Sequence, residues 1–291
     1  MRAFVVTVGE DDVDVASDVL WQLGVRAVEE RPGASSSGVM GRQVELWTAV
    51  GDDAAATERA AAALGGRWDH RVVEVDAVHE GAERWREFAS PMWVDEGLVI
   101  VPAWQESLPP TGASPLVVSI EPGGAFGLGD HPTTLLSLRA VRRVFERSTS
   151  DRSAVVDVLD VGCGTGVIAV VGALLSERPV RAIDVASAAV EATLDNARRN
   201  GVGDRIEVDT TDLAAIDSEH DLVVANILAP ALVSLADDLR RVTQQHGRLI
   251  VSGILAGSHQ HVLRALAPME VVHTDVLEGW ACVELRHPLR P

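Results

Sequence analysis

Along the first part of the chain, apolar positions recur in short runs with two different periods. Phe4-Val5-Val6-Thr7-Val8 is β-branched and predicts a strand. Val13 to Leu23 carries helical spacing and stops at Gly24, a fitting C-cap. Val25-Arg26-Ala27-Val28-Glu29 returns to an extended pattern, and Arg31 to Gly41, with proline, glycine and serine, predicts a mobile loop. Val44 to Val50 alternates as a half-buried strand, Asp53 to Leu64 is an alanine-rich helix, and Val72-Val73-Glu74-Val75 closes the unit. That β-α-β-β-α-β order predicts a small α+β, ferredoxin-like domain over residues 1–78.

Residues 79–118 read as an aromatic-rich linker that holds Trp85, Phe88, Trp93 and Trp104 among several prolines. Such a segment is more often a docking seam than a ligand site. From residue 119 to 291 the pattern changes to strands alternating with helices. Val155–Val161, Val180–Asp184, Ile206–Val208, Asp221–Ala225 and Arg248–Ser252 are short apolar strands. Val271–Asp275 and Ala281–Leu285 follow as an antiparallel hairpin. The pattern predicts an α/β fold, a doubly wound, Rossmann-like sheet of seven strands.

Composition fits this plan. The 291 residues suit two domains, and 47% hydrophobic residues supply the cores. No run is as long as a membrane span, and Met1-Arg2-Ala3-Phe4 opens no signal peptide, so a cytoplasmic protein is expected. Cys163 and Cys282 form neither a CxxC pair nor a disulfide framework. The net charge is −18, and every fixed cation is arginine, with no lysine present. That charge argues against direct contact with nucleic acid, which needs clustered cations. It suits a basic protein or a small molecule, or serves solubility alone. A monomer is expected.

The chemistry concentrates where Val155-Val156-Asp157-Val158-Leu159-Asp160-Val161 runs into Gly162-Cys163-Gly164-Thr165-Gly166. Glycines there let the backbone turn sharply and approach a ligand. Gly164-x-Gly166-x-x-Ala169 also fits a relaxed dinucleotide fingerprint, and a plain strand-to-helix turn is the bland alternative. Asp184, about 20 residues on, can accept both hydrogen bonds of a ribose diol, whether of NAD or of S-adenosylmethionine. Asp160 is more discriminating, because an acid there repels a pyrophosphate but can pair with an amino-acid end. Asp212, after the third strand, is placed to meet an adenine amino group or to sit solvated in its loop.

The fourth strand delivers Val223-Val224-Ala225-Asn226-Ile227-Leu228-Ala229-Pro230. At that position a neutral acceptor suits an amine nucleophile; the competing reading is an Asn that caps the next helix. Upstream, four glycines surround Phe126 in Gly123-Gly124-Ala125-Phe126-Gly127-Leu128-Gly129, followed by Asp130-His131-Pro132-Thr133-Thr134. Thr133 and Thr134 offer hydroxyls, and the helix start offers N–H groups, for a carboxylate. Phe126 and its glycines are expected to close over the bound ligand.

These segments together resemble the bacterial ribosomal protein L-11 methyltransferase family. Ala125-Phe126-Gly127-x-Gly129-x-His131-Pro132-Thr133-Thr134, Asp160 to Gly166, Asp195-Asn196-Ala197-Arg198-Arg199-Asn200-Gly201, Val224 to Ala229 and Ser252-Gly253-Ile254-Leu255 look like its motifs in order. The resemblance covers most of residues 85–285 and extends more faintly to Leu23–Glu30. It implies methylation of lysine ε-amines and an N-terminal α-amine on the ribosomal protein, with S-adenosylmethionine as donor. It further implies that the N-terminal domain recognises the protein substrate. Thr134, Gly162, Asp184 and Asn226 match the family's donor-binding residues by position. Leu128 and Asp130 depart from its small hydroxyl residues, Ala186-Ser187 stands where Asp-Pro is usual, and the stretch from Thr134 to Asp160 is long.

The expected reaction is direct in-line transfer, with Asn226 orienting the amine. Methylation of another protein or of a small-molecule amine is the alternative, and an NAD-dependent oxidoreductase a further one. A metal site has little support, since His259 and His261 stand two apart on a predicted helix and point to different faces.

Overall fold

The structure is a computed structural model that describes residues 2–9, 12–23, 25, 28–33, 43–48, 54–74, 90–105, 115–121, 131–150, 156–176, 178–257 and 259–288. The chain divides into two compact units, Met1–Phe88 and Ala89–Pro291.

The first unit runs β1 (Arg2–Gly9), α1 (Val13–Gln22), β2 (Val28–Pro32), β3 (Gln43–Thr48), α2 (Ala54–Ala63) and β4 (Asp69–Glu74). Its sheet has the order β2-β3-β1-β4, and every neighbouring pair is antiparallel. This is the ferredoxin-like arrangement. Alternate residues Phe4, Val6 and Val8 of β1 face Ala16 and Leu20, one helical turn apart, and Leu46, Ala60 and Leu64 complete the core. The Trp68 indole donates to Asp12 at 3.0 Å, so a large aromatic is buried with its polar atom satisfied.

Strand β2 departs from the expected Val25–Glu29. It begins at Val28 and runs through Arg31 and Pro32, which pair with Glu45 and Val44. Proline is tolerated because β2 lies at the sheet edge, and Val25 instead fills the core outside the ladder. The Arg31-to-Gly41 loop therefore loses its first residues to the sheet.

In the second unit, β5 (Met92–Asp95), β6 (Leu98–Pro102) and β7 (Leu116–Ile120) form a three-stranded sheet in that order. Part of the stretch read as a linker is thus built into this unit. β6 is buried throughout, and Val94, Leu98, Ile100, Val118 and Ile120 join the main core. Trp85 and Phe88 lie outside the described residues.

The unit continues with α3 (Pro132–Ser150), β8 (Val158–Val161), α4 (Val167–Leu175), β9 (Val180–Ile183), α5 (Ser187–Arg199), β10 (Ile206–Asp209), β11 (His220–Asn226), α6 (Ala229–Ser234), α7 (Ala236–Arg241), β12 (Thr243–Leu255), α8 (Gln260–Ala265), β13 (Glu270–Leu277) and β14 (Trp280–Arg286). Seven strands lie in the order β10-β9-β8-β11-β12-β14-β13, with β10 to β12 parallel and the final hairpin antiparallel. Successive residues serve opposite faces. Val158, Leu222, Val224 and Ile250 meet one set of helices, and Leu159, Val161, Val223 and Ala225 meet the other. Both faces are covered, which is why these strands read as unbroken apolar runs.

Candidate active site

The sheet order reverses at β8, whose neighbours β9 and β11 lead away on opposite sides. A crevice forms at such a switch point, beyond the carboxyl ends of the strands. Val161 pairs with Ile183 on one side and with Ala225 on the other. The next residue of each strand, Gly162, Asp184 and Asn226, therefore emerges at one edge, on strands about 4.8 Å apart.

The glycine loop needs its glycines. Gly162, Gly164 and Gly166 have φ of 76°, 55° and 78°, the left-handed region that side chains disfavour. A Cβ on Gly162 would overlap Ile227 Cγ2, and one on Gly166 would sit 2.9 Å from the Thr193 Cα. The loop is pinned from several directions. Gly162 N–H donates to the Ile183 carbonyl at 2.8 Å, and Gly164 N–H donates to Asp184 Oδ2 at 3.0 Å. Asp184 Oδ1 also accepts from Ala186 N–H at 2.9 Å, so this carboxylate fixes both its own turn and the loop.

Asp160 lies beneath the loop, 1% exposed. Its Oδ2 accepts from the Ala169 N–H at 3.1 Å in the first turn of α4, and its Oδ1 is buried without a hydrogen-bond partner among the described residues. Burial, opposed in part by the Ala169 N–H and reinforced by the Asp184 charge, pushes this carboxyl up to about 7. Burial and the Asp160 charge push the neighbouring Cys163 thiol up, and Thr193 donates to its sulfur, so that thiol is unreactive.

Opposite stands the start of α3. Thr133 and Thr134 are buried, and Asn226 Nδ2 donates to Thr134 Oγ1 at 3.4 Å. The N–H groups expected to await a carboxylate are already used. Thr134 N–H donates to the His131 carbonyl at 3.0 Å, and Thr133 N–H reaches His131 Nδ1 at 3.3 Å, which also meets Thr133 Oγ1 at 2.8 Å. The His131 ring packs edge-on against Trp280, centroids 5.0 Å apart. Ser252 Oγ donates to the Thr133 carbonyl at 3.2 Å.

Asn226 does not cap the next helix. The N-cap of α6 is Leu228, and no side chain bonds there, so a capping role for Asn226 falls away. Asp212 is exposed and accepts from Ala214 N–H at 3.0 Å, capping the short 3₁₀ turn Leu213–Ala215; among the described residues no hydrogen bond joins it to the others. Phe126 lies outside the described residues.

Some residues that hold the site carried no assigned role in the sequence. Ile227 fills the space left by Gly162, and its carbonyl occupies the place where a Gly253 Cβ would stand. Asn196 and Asn200 were visible only as part of a motif. The one available signal was amides four apart on a helix, which usually marks a solvated face. Among the described residues no group of three or more His, Cys, Asp or Glu could hold a metal ion, and no helix is long and apolar enough to cross a membrane.

Comparison with known proteins gives the chain a family and a fold. The family model described as Ribosomal protein L11 methyltransferase (PrmA) matches residues 12–288. A ribosomal protein L11 methyltransferase from Methylococcus capsulatus is 36% identical, over 96% of this chain and 96% of its own. One from an Exiguobacterium species is 37% identical over 75% of this chain and 68% of its own. The crystal structure of a ribosomal protein L11 methylase from Lactobacillus delbrueckii subsp. bulgaricus is similar with a TM-score of 0.61 and 28% identity, covering 68% of this chain and 98% of that one. With a match that begins in the first unit and ends past the last strand, on a sheet whose switch point carries the glycine loop, the chain belongs to the ribosomal protein L11 methyltransferase family.

Proposed function

We propose that this methyltransferase uses S-adenosylmethionine to methylate lysine ε-amines and an N-terminal α-amine of ribosomal protein L11. The observation that carries the reading is the orphaned Asp160 Oδ1, buried under the glycine loop. A buried, unpaired carboxylate oxygen favours a cationic partner such as an α-ammonium and repels a pyrophosphate, which argues against the dinucleotide alternative.

The residues present fit the donor. Asp160, Gly162, Gly164, Gly166 and Asp184 would hold it, with Phe126, Thr133, Thr134 and Asp212 completing the contacts. Once bound, the donor would supply a methyl group on sulfonium sulfur, open to the lone pair of a neutral amine, with the thioether as leaving group and the amine proton passing to solvent. Asn226 orients the amine. Its Nδ2 is committed to Thr134, which leaves Oδ1 to accept a substrate N–H without a negative charge that would favour the unreactive ammonium. Positioning, rather than a strong acid or base, supplies the rate enhancement.

The first unit would recognise the protein substrate, which would place the reaction in the cytoplasm, on a monomeric enzyme without direct nucleic-acid contact. The test is incubation with labelled S-adenosylmethionine and dissociated ribosomal proteins, with the label located by mass spectrometry. Label on amines of ribosomal protein L11 is expected. Label confined to another protein would remove the substrate assignment, and no transfer at all would remove the reaction.

A further inference from the structure

Two side chains of α5 and that of its C-cap residue, Asn200, reach across to two other segments. Thr193 Oγ1 is 3.3 Å from the Gly164 carbonyl of the glycine loop. One turn on, Asn196 Nδ2 donates to the Thr165 carbonyl of that loop and to the Glu121 carbonyl, each at 2.9 Å, while its Oδ1 accepts from Glu121 N–H at 2.8 Å. Asn200 repeats the pattern on Ser119, accepting from its N–H at 2.8 Å and donating to its carbonyl at 2.7 Å.

The spacing explains the fit. Residues four apart on a helix advance about 6 Å along its axis. Residues two apart on a strand advance about 6.6 Å and present their backbone groups to the same edge. Among the described residues β7 is an edge strand of its sheet, so the two amides pair with the open side of Ser119 and of Glu121, the residue just after the strand. Asn196 differs from Asn200 in what its second bond holds: Asn196 reaches the glycine loop, whereas Asn200 donates to the Asn196 carbonyl at 2.7 Å. Asn196 is 1% exposed and uses both of its N–H groups and its oxygen.

We infer that Asn196 is a positioning residue for donor binding, one amide that locks the Thr165 carbonyl of the glycine loop to the backbone of Glu121. Asn200 secures Ser119 of β7 and the Asn196 carbonyl at the end of α5. Removing the Asn196 amide frees the loop backbone on the side of α5 and breaks three hydrogen bonds, one to the Thr165 carbonyl and two to the backbone of Glu121. The consequence is weaker capture of the donor, with transfer unimpaired once donor is bound.

This inference rests on the reading of the site as an S-adenosylmethionine site, so the unaltered chain is titrated first with S-adenosylmethionine by calorimetry; absence of binding would overturn that reading. Asn196→Ala and Asn200→Ala are then compared for donor dissociation constant, turnover at saturating donor and melting temperature. Both are expected to melt lower. Asn196→Ala is expected to bind donor about tenfold more weakly with turnover within about twofold of native, and Asn200→Ala to bind within about twofold. Should Asn196→Ala fail to fold, Asn196→Asp keeps the shape and the acceptor for Glu121 while losing both donors, and carries the same comparison. Equal donor affinity in the Asn196 and Asn200 variants, or failure of both Asn196 variants to fold, would overturn the inference while leaving the donor site in place.

Discussion

Asn226, at the carboxyl end of β11, donates to the Thr134 hydroxyl in the first turn of α3, so that strand end and helix start share one hydrogen bond. The amide thereby has a defined orientation. Replacing Asn226 by Ala is expected to reduce turnover about 100-fold, the scale on which misplaced reactants lose rate. Donor affinity should fall less than turnover. Single-turnover kinetics beside a donor titration separates the two, and native turnover in this variant would remove the assigned role.

Gly166 packs where no Cβ can stand. At φ 78° its added methyl would meet the Thr193 side chain at 2.7 Å and its Cα at 2.9 Å. Gly166→Ala is expected to cost about 2–3 kcal/mol from left-handed strain and overpacking together. Donor affinity should fall with it, because α5 must shift or the loop must. Thermal melts and donor titration measure both effects.

Asp160 gives the donor-free enzyme a pH dependence. Its carboxyl is raised to about 7 by burial, whereas the unfolded chain releases that proton near 3.8. The folded state therefore binds more protons between these values, and the Asp160 contribution, fully present at low pH, is lost as pH rises through about 7. Its size is of the order of a few kcal/mol. Asp160→Asn should flatten this part of the pH–melting profile. In the native enzyme, the stabilisation given by S-adenosylmethionine should grow between about pH 6 and 8, as the carboxylate becomes available to an ammonium group. A donor shift independent of pH would contradict the pairing.

On the sheet away from the glycine loop, Glu284 of β14 has no exposed side-chain surface and is met by three arginines. Arg147 lies 2.9 Å away, Arg248 3.3 Å and Arg143 3.5 Å. The arginines are partly exposed, which tempers the cost, yet Glu284→Ala should destabilise by about 2–4 kcal/mol as a buried pair is broken. Denaturant unfolding at neutral pH measures it. Donor affinity in the folded variant should remain native.

Much of the site was legible because a glycine run or an acid at the end of a parallel strand serves few purposes besides holding a ligand. The glycine loop, Asp184 at the end of β9 and Asn226 at the end of β11 could be placed from strand order alone, since the three strands are neighbours in register. What stayed hidden depended on partners remote in sequence. Asn196 on α5 and Asn200 at its C-cap have a polar spacing that suggests solvent, and it is the backbone of Ser119 and Glu121, with the glycine loop for Asn196, that covers them. The capping of α3 by His131 was masked by the threonines beside it. Strand β2 shifted because its ladder partner, not its own apolar run, sets where it begins.

Strand order also fixes when this molecule can finish forming. β14 lies between β12 and β13, paired on both sides, although it follows both in sequence. During synthesis, β12 and β13 wait with open edges until residues 280–286 have been translated. The larger unit therefore completes its sheet only once the β13–β14 hairpin has formed, and that hairpin docks on β12 through its second strand rather than its first.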